Sequence, residues 1–330
     1  MEEHEGGFLA QGGFRVTVVK LVISIDVEEE GLFSGNYPRV ATGVSNVSQL
    51  DRLRFLSTEF GVPLTLLATY PVATSTPCAT ILRTWHERFG AEIGAHLHPW
   101  NTPPFGEMSL PEPVRSDNIP ASLLEARLHS LISVIHRNIG VRPVSFRMGR
   151  FDLGSRMVGI LPTMGVLVDS SMVPLRTVVG GPNHFLCPSD PYWLLRVEGC
   201  PALLEVPVTQ VPVWRPIPGM VHRLGKHLPK PLSDQLQVSF RYVAALGIHP
   251  AWYPLRSMKW AVRVHHRRGG RVLNLFLHSS ELQPGATPGF KSEADVRQLV
   301  RRIRLFMEWL NRSFTVEPVT LSGVRREISE

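Results

Sequence analysis

The sequence predicts an α/β fold in which seven or so short parallel strands alternate with helices and close toward a (β/α) barrel. Three observations carry this expectation. Apolar, β-branched runs of strand length alternate with segments of helical periodicity along most of the 330 residues. An open doubly wound sheet would fit that alternation too, but neither GxGxxG nor GxxxxGK[ST] follows the first apolar run, which argues against a dinucleotide or P-loop enzyme. Polar residues gather where the strand-like runs end: Asp26 and Glu28, His96 and His98, Arg147, Asp169, Glu205 and His278. The C-terminal ends of barrel strands are where reactive side chains converge, so the pattern favours the barrel.

The elements follow in order. Residues 1–14, rich in Gly and Glu without periodicity, are expected to form a loose leader, and residues 15–330 one decorated domain. Residues 16–26 form a continuous β-branched run, as in a strand buried on both faces. Leu50, Leu53, Leu56 and Phe60 give 45–60 a helical spacing that Gly61 stops. A second strand is expected at 62–69, a helix at 79–89, and a short strand at 92–98 that Pro99 breaks. Leu124, Leu128, Leu131 and Ile135 mark one face of a helix at 120–139. Strands at 144–148 and 165–169 flank a helix at 155–161, and further strands are expected at 203–209 and 272–278. A helix at 292–309 opens with Ser292 as N-cap and Glu293 and Asp295 in its first turn. Residues 101–113, 211–231 and 283–289, rich in Pro and Gly, read as loops, and 211–231 could close over a substrate.

Composition narrows the class. A chain with 43% hydrophobic and 19% charged residues is not disordered. The formal charge of +7 is uneven: the first 165 residues hold 14 Lys/Arg against 16 Asp/Glu, the remainder 21 against 12. Tracts such as His265-His266-Arg267-Arg268 and Arg301-Arg302-Ile303-Arg304 read as solvated helix faces, with a patch for an anionic polymer or lipid headgroup as the alternative. No nucleic-acid motif accompanies the charge, so no specific nucleic-acid partner is predicted. Cys78, Cys187 and Cys200 form no CxxC pair. No apolar stretch reaches the roughly 18 residues of a membrane span, and the acidic N-terminus is unlike a secretory signal, so a cytoplasmic location is expected.

Asp26 and Glu28, two apart at a strand end, project to the same side. One such carboxylate can ligate a metal while the other takes a proton from water; simple solvation of an acidic junction is the alternative. His96 and His98 have the same spacing, and two aligned imidazoles with a carboxylate suit Zn²⁺ and neighbouring divalent metals. His278, ending the most apolar strand, is either a proton donor or a satisfied core histidine. Arg147 is either a buried ion-pair partner or the residue that holds a catalytic carboxylate, and the two roles are compatible. Trp100, Trp252, Tyr253 and Trp260 are candidate sugar-stacking platforms or packed aromatics.

Four segments occur in an order that resembles the polysaccharide deacetylase superfamily, the NodB-homology domain with carbohydrate esterase family 4 and relatives. They are 23–28 (Ile-Ser-Ile-Asp-Val-Glu), 92–100 (Glu-Ile-Gly-Ala-His-Leu-His-Pro-Trp), 146–151 (Phe-Arg-Met-Gly-Arg-Phe) and 275–282 (Leu-Phe-Leu-His-Ser-Ser-Glu-Leu). The likeness spans about residues 20–310. It implies a distorted (β/α) barrel with about seven strands, a divalent metal, most simply Zn²⁺, and hydrolysis of an N-acetyl group from an amino-sugar-containing saccharide. By motif position Asp26 resembles the catalytic base, Glu28 and His96 metal ligands, Arg147 the arginine that orients the base, and His278 the proton donor to the leaving amine. The chain resembles a divergent branch: Val27 separates the two acids, and Trp100 stands where the usual second histidine would be, so that His98 would take over as ligand. Asp169 or Glu205 would supply the carboxylate of the fourth motif. Two other functions stay open: hydrolysis of another non-peptide C–N bond, as in a ureide or cyclic imide, and a catalytically silent glycan-binding barrel.

Overall fold

Where β-branched and leucine-rich runs are bounded by polar or Gly residues, the chain forms strands. The computed structural model describes residues 18–35, 37–40, 42–106, 114–178, 181–195 and 201–329. The expected leader, residues 107–113 of the expected loop and Cys200 lie outside the described residues. The strands are β1 (Val18–Val27), β2 (Thr65–Ala68), β3 (Glu92–Leu97), β4 (Ser145–Met148), β5 (Val168–Asp169), β6 (Tyr192–Leu195), β7 (Leu203–Glu205), β8 (Gln210–Pro212), β9 (Ala245–Gly247), β10 (Val272–His278) and β11 (Thr315–Pro318). In the main sheet β10, β1, β2, β3, β4, β5 and β7 lie side by side in that order, all parallel. β6 adds an antiparallel edge to β7, and β11 pairs with the start of β1.

The sheet curls into a distorted half-barrel. Among the described residues no ladder joins β10 to β7; Thr209 bridges them instead. Its N–H donates to the Asn274 carbonyl (3.0 Å), and its Oγ1 accepts from the Asn274 N–H (2.8 Å). Inside the curl the buried side chains are not all apolar. Ser24, Arg147, Ser170 and Asn274 are fully buried and hydrogen-bonded to one another. A buried polar layer of this kind is stable only when each member is satisfied, and it fixes how the strand ends face each other.

Helices cover the outside: α1 (Arg54–Thr58), α2 (Tyr70–Thr74), α3 (Thr76–Phe89), α4 (Ala121–Ile139), α5 (Ser155–Thr163), α6 (Ile217–Gly225), α7 (Lys230–Ala244), α8 (Leu255–Arg267), α9 (Glu293–Ser313) and α10 (Leu321–Ser329). The spacing read in α4 is the face it buries, through Leu124, Leu128, Leu131 and Ile135. Each such side chain contributes about 1.5–3 kcal/mol. Ser292 caps α9 by accepting from the Asp295 N–H (3.3 Å).

Two expectations need correction. Residues 45–60 are not one α-helix: Ser45–Leu53 is 3-10 helix, and only Arg54–Thr58 is α. Residues 211–231 are not a loop, since they contain the end of β8, all of α6 and the start of α7. Apart from Pro212 in β8, their prolines sit at helix starts, Pro216 and Pro218 at α6 and Pro229 and Pro231 at α7, where a missing N–H costs nothing. The basic tracts are only partly solvated. His265 is buried against Asp190 (3.3 Å), Arg268 donates to the Pro212 and Val213 carbonyls (2.6 and 2.8 Å), and Arg304 pairs with Glu59. No helix among the described residues is long and apolar enough to cross a membrane.

Candidate functional site

Register places the site residues. β1 and β10 align Asp26 with His278, and β3 and β4 align His96 with Arg147. Because these strands are parallel, all four side chains arrive at one rim of the curl. At that rim lies a cleft of ≈ 230 Å³ whose wall includes Asp26, Glu28, His96, His98 and His278. A larger cavity of ≈ 400 Å³, bordered by Cys187, His265 and Arg268, contains none of the predicted site residues.

Arg147 is fully buried, and its whole guanidinium is engaged. Nη1 donates to Asp26 Oδ1 (2.6 Å), Nη2 to Ser24 Oγ and Ser170 Oγ (both 2.8 Å), and Nε to the Ser170 carbonyl (2.8 Å). With Oδ1 so held, Asp26 keeps Oδ2 as its free acceptor. Oδ2 lies 3.8 Å from His278 Nε2 and 3.9 Å from His96 Nε2.

Glu28, His96 and His98 form a compact donor set. Their ligand atoms lie within 4.8 Å of one another, and Glu28 Oε2 is 3.4 Å from both His96 Nε2 and His98 Nε2. Both imidazoles are oriented from behind. His96 Nδ1 donates to the Arg147 carbonyl (2.9 Å), and His98 Nδ1 donates to Glu29 Oε1 (2.7 Å). Each Nε2 therefore faces Glu28, the ring nitrogen left for a ligand. Metal-ligating histidines are held in this way, with the far ring nitrogen on a carbonyl or carboxylate. The edges match too, because ligands about 2.0–2.1 Å from a tetrahedral ion stand ~3.3 Å apart. Two imidazoles and one carboxylate with room beside them suit Zn²⁺ in an open site, so the residues present fit the expected cation. Gly149 is required here, since a Cβ would come within 2.4 Å of His98 Cδ2 and 2.8 Å of the Leu97 carbonyl.

Electrostatics agree with the geometry. Burial opposes the Glu28 anion, but His278, His96 and His98 hold its carboxyl far below the usual range. Burial likewise opposes a charged His98, yet Glu29 and Glu28 raise it to about 9. Of the three donors, His98 thus carries a positive charge beside the Glu28 anion, a charge that a bound cation would replace. Glu29, the residue after Glu28, is buried and also accepts from Asn101 Nδ2. Glu29→Gln is expected to weaken divalent-cation affinity by about 10–100-fold while leaving all three ligands in place, measured by competition with a chromogenic chelator.

The His278 side has its own support. Glu281 Oε1 accepts from Nδ1 (3.2 Å), and Oε2 accepts from the backbone N–H (3.1 Å). Burial disfavours the imidazolium, but Glu281, then Glu28 and Asp26, raise His278 to about 9. Behind them, His249 Nδ1 accepts from the Ala251 and Trp252 N–H groups (3.2 Å each), leaving Nε2 3.7 Å from Glu281 Oε1. Burial takes His249 down to about 3, so it is neutral.

Asp169 and Glu205 stand apart from this site. They face each other in register on β5 and β7, fully buried, and burial raises both. The Asp169 charge pushes Glu205 further up, and Asp169 accepts from Ser171 N–H (3.1 Å) and Oγ (2.6 Å). Neither touches His278; the carboxylate there is Glu281. Of the candidate aromatic platforms, Trp100 and Trp252 line the cleft, and Trp100 stacks on His98 (4.3 Å). Tyr253 and Trp260 do not line it, and neither does any residue of 211–231.

No protein-family model matches the chain, and no curated protein matches it. Solved structures do. A protein described as a polysaccharide deacetylase from Mycobacterium smegmatis aligns over 99% of this chain and 95% of its own, with TM-score 0.56 and 16% identity. One so described from Pseudomonas aeruginosa PAO1 aligns over 94% and 90%, with TM-score 0.57 and 16% identity. The PuuE allantoinase aligns over 94% and 90%, with TM-score 0.55 and 15% identity. At these identities the likeness speaks for backbone architecture, and it spans nearly the whole of each chain. This chain has the NodB-like polysaccharide deacetylase fold.

Proposed function

We propose that the protein is a metal-dependent hydrolase that removes an N-acetyl group from an amino-sugar-containing saccharide or precursor. The observation that carries this reading is the meeting, in one cleft, of Asp26, His278 and the Glu28–His96–His98 donor set. When bound by those three residues, a divalent cation supplies Lewis acidity toward the amide carbonyl. Asp26, its Oδ1 fixed by Arg147, takes a proton from the attacking water through Oδ2. The new C–O bond forms as the amide C–N bond breaks, and His278 Nε2–H gives its proton to the departing nitrogen. Acetate and the free amine result.

His278 is suited to that second role because Glu281 keeps it protonated through neutral pH. Its folded value lies above the ordinary histidine range, so the donor form is complete at pH 7 and is lost as pH rises through about 9. Rate that depends on this donor is expected to fall along the same limb. Glu281→Gln moves the limb toward lower pH in a kcat-against-pH profile. An unmoved limb would assign the proton donor elsewhere.

A second reading, hydrolysis of a ureide or cyclic imide, is kept because the allantoinase backbone fits this chain as well as the deacetylase backbones do. One panel separates the two: acetylated mono- and oligosaccharides against small cyclic amides, with acetate and ring opening read in parallel. Acetate release that a chelator abolishes supports the deacetylase. Ring opening without acetate release supports the alternative.

A further inference from the structure

Arg150 and Arg176 line the same cleft as the candidate catalytic residues, and the hydrolysis described above uses neither. Among the described residues neither is ion-paired with a carboxylate. Asp152, whose charge reaches both, is committed to Arg115 (3.4 Å) and the Ser116 N–H (2.9 Å). Both guanidiniums lie over aromatic rings of the cleft wall, Arg150 over Tyr37 (5.7 Å) and Arg176 over Phe151 (5.3 Å). Stacking holds a planar guanidinium by its face and leaves N–H edges to donate. Arg176 Nη1 also donates to the Arg150 carbonyl (3.0 Å), tying the two loops together. A third cation, Arg241, lies over Trp252 at the same rim (4.7 Å). Burial, with Arg241 and Arg150 nearby, draws Arg176 down to about 10 against the opposing pull of Asp152.

The backbone points to the same place. Among the described residues the non-glycine positions in the left-handed region are Arg150 (φ 60°), Phe151 (φ 56°) and Leu175 (φ 63°). They are one arginine itself, the ring under the other, and the residue preceding that other. Strain of this kind persists where the surrounding structure enforces it, and it clusters at ligand clamps.

We propose that the cleft takes an N-acylated saccharide carrying an oxyanion, a phosphate or a carboxylate, which Arg150 and Arg176 bind while the acyl group lies at Asp26. The acyl half rests on the deacetylase reading; the oxyanion half rests on the arginines alone. A guanidinium recognises both oxyanions through paired, charge-assisted N–H···O bonds.

The test is isothermal titration calorimetry on the full chain with matched pairs: glucosamine 1-phosphate against glucosamine, and N-acetylmuramic acid against N-acetylglucosamine. The charged member of at least one pair is expected to bind roughly tenfold or more tightly. Which pair shows the preference distinguishes phosphate from carboxylate. The preference should weaken with added salt, and Arg150→Gln and Arg176→Gln should each lower the charged-to-neutral ratio by about tenfold. If Arg176→Gln fails to fold, Arg150→Gln, made at an exposed side chain, decides alone. Equal affinities within both pairs, or a preference that both variants retain, overturns the proposal. Acetate release without charge preference overturns it and leaves the deacetylase standing. A charge preference without acetate release from any acetylated saccharide supports the arginine pair and overturns the deacetylase.

Discussion

Asp26→Asn is expected to lower kcat for acetate release by about 10²–10⁴-fold, the usual size of a lost general base. Asn keeps the shape of the side chain and an oxygen able to accept from Arg147 Nη1, but it cannot take a proton. The change at Oδ2 is therefore chemical more than structural. A complication must be measured beside it, because leaving a buried charge unpaired costs about 3–5 kcal/mol. Arg147 keeps its bonds to Ser24 and Ser170 in the variant, so the loss of stability should be smaller than that. A fall in kcat with little change in KM, melting temperature or cation content identifies a proton acceptor. A variant that keeps a tenth or more of the rate would place the base elsewhere.

Glu28→Gln is expected to weaken cation binding by more than about 100-fold, beyond what loss of an outer partner such as Glu29 produces. Glu28 supplies the only negative charge in the donor set, and its Oε2 is the atom both histidines face at 3.4 Å. A neutral amide leaves two imidazoles that hold a divalent ion only weakly in competition with water. Elemental analysis of the variant should find the cation lost, with acetate release near background and partly restored by excess Zn²⁺. His98, relieved of one carboxylate, should also drop from its raised value. A variant that retains one equivalent of cation would move the centre away from Glu28.

The parts that were legible in the sequence are those whose physics is local. β10 could be read end to end at 272–278 because a mainly apolar run, interrupted only by Asn274 before His278, has few other places to go. The spacings of Asp26 with Glu28 and of His96 with His98 predicted shared faces, and their donor atoms do converge. Glu29 was hidden by the same rule. Alternation sends the neighbour of Glu28 to the opposite side, but β1 ends at Val27, and beyond the strand the rule lapses. Glu281 was within a recognised segment, yet only the 3-10 turn at Ser279–Leu282 brings it back onto His278. His249 follows the three-residue β9, outside the main sheet, where no periodicity marks it. In α6 and α7 the density of prolines masked helices, because a proline at a helix start looks from sequence like one in a loop. Arg150 was within a recognised segment, but its pairing with Arg176 carried no sequence signal, since it depends on left-handed backbone that only the folded chain displays.

Acetate release titrated with metal tests the Glu28–His96–His98 centre most directly. The chain is stripped with chelator, supplied with an N-acetylated saccharide, and given Zn²⁺ in sub-equivalent steps while acetate is measured. Release should be absent from the stripped protein, rise with each addition and level off at about one equivalent, as a single Glu28–His96–His98 centre requires. Full acetate release by the stripped chain, or none at any Zn²⁺ level from a panel of neutral and charged acetylated saccharides, would contradict it.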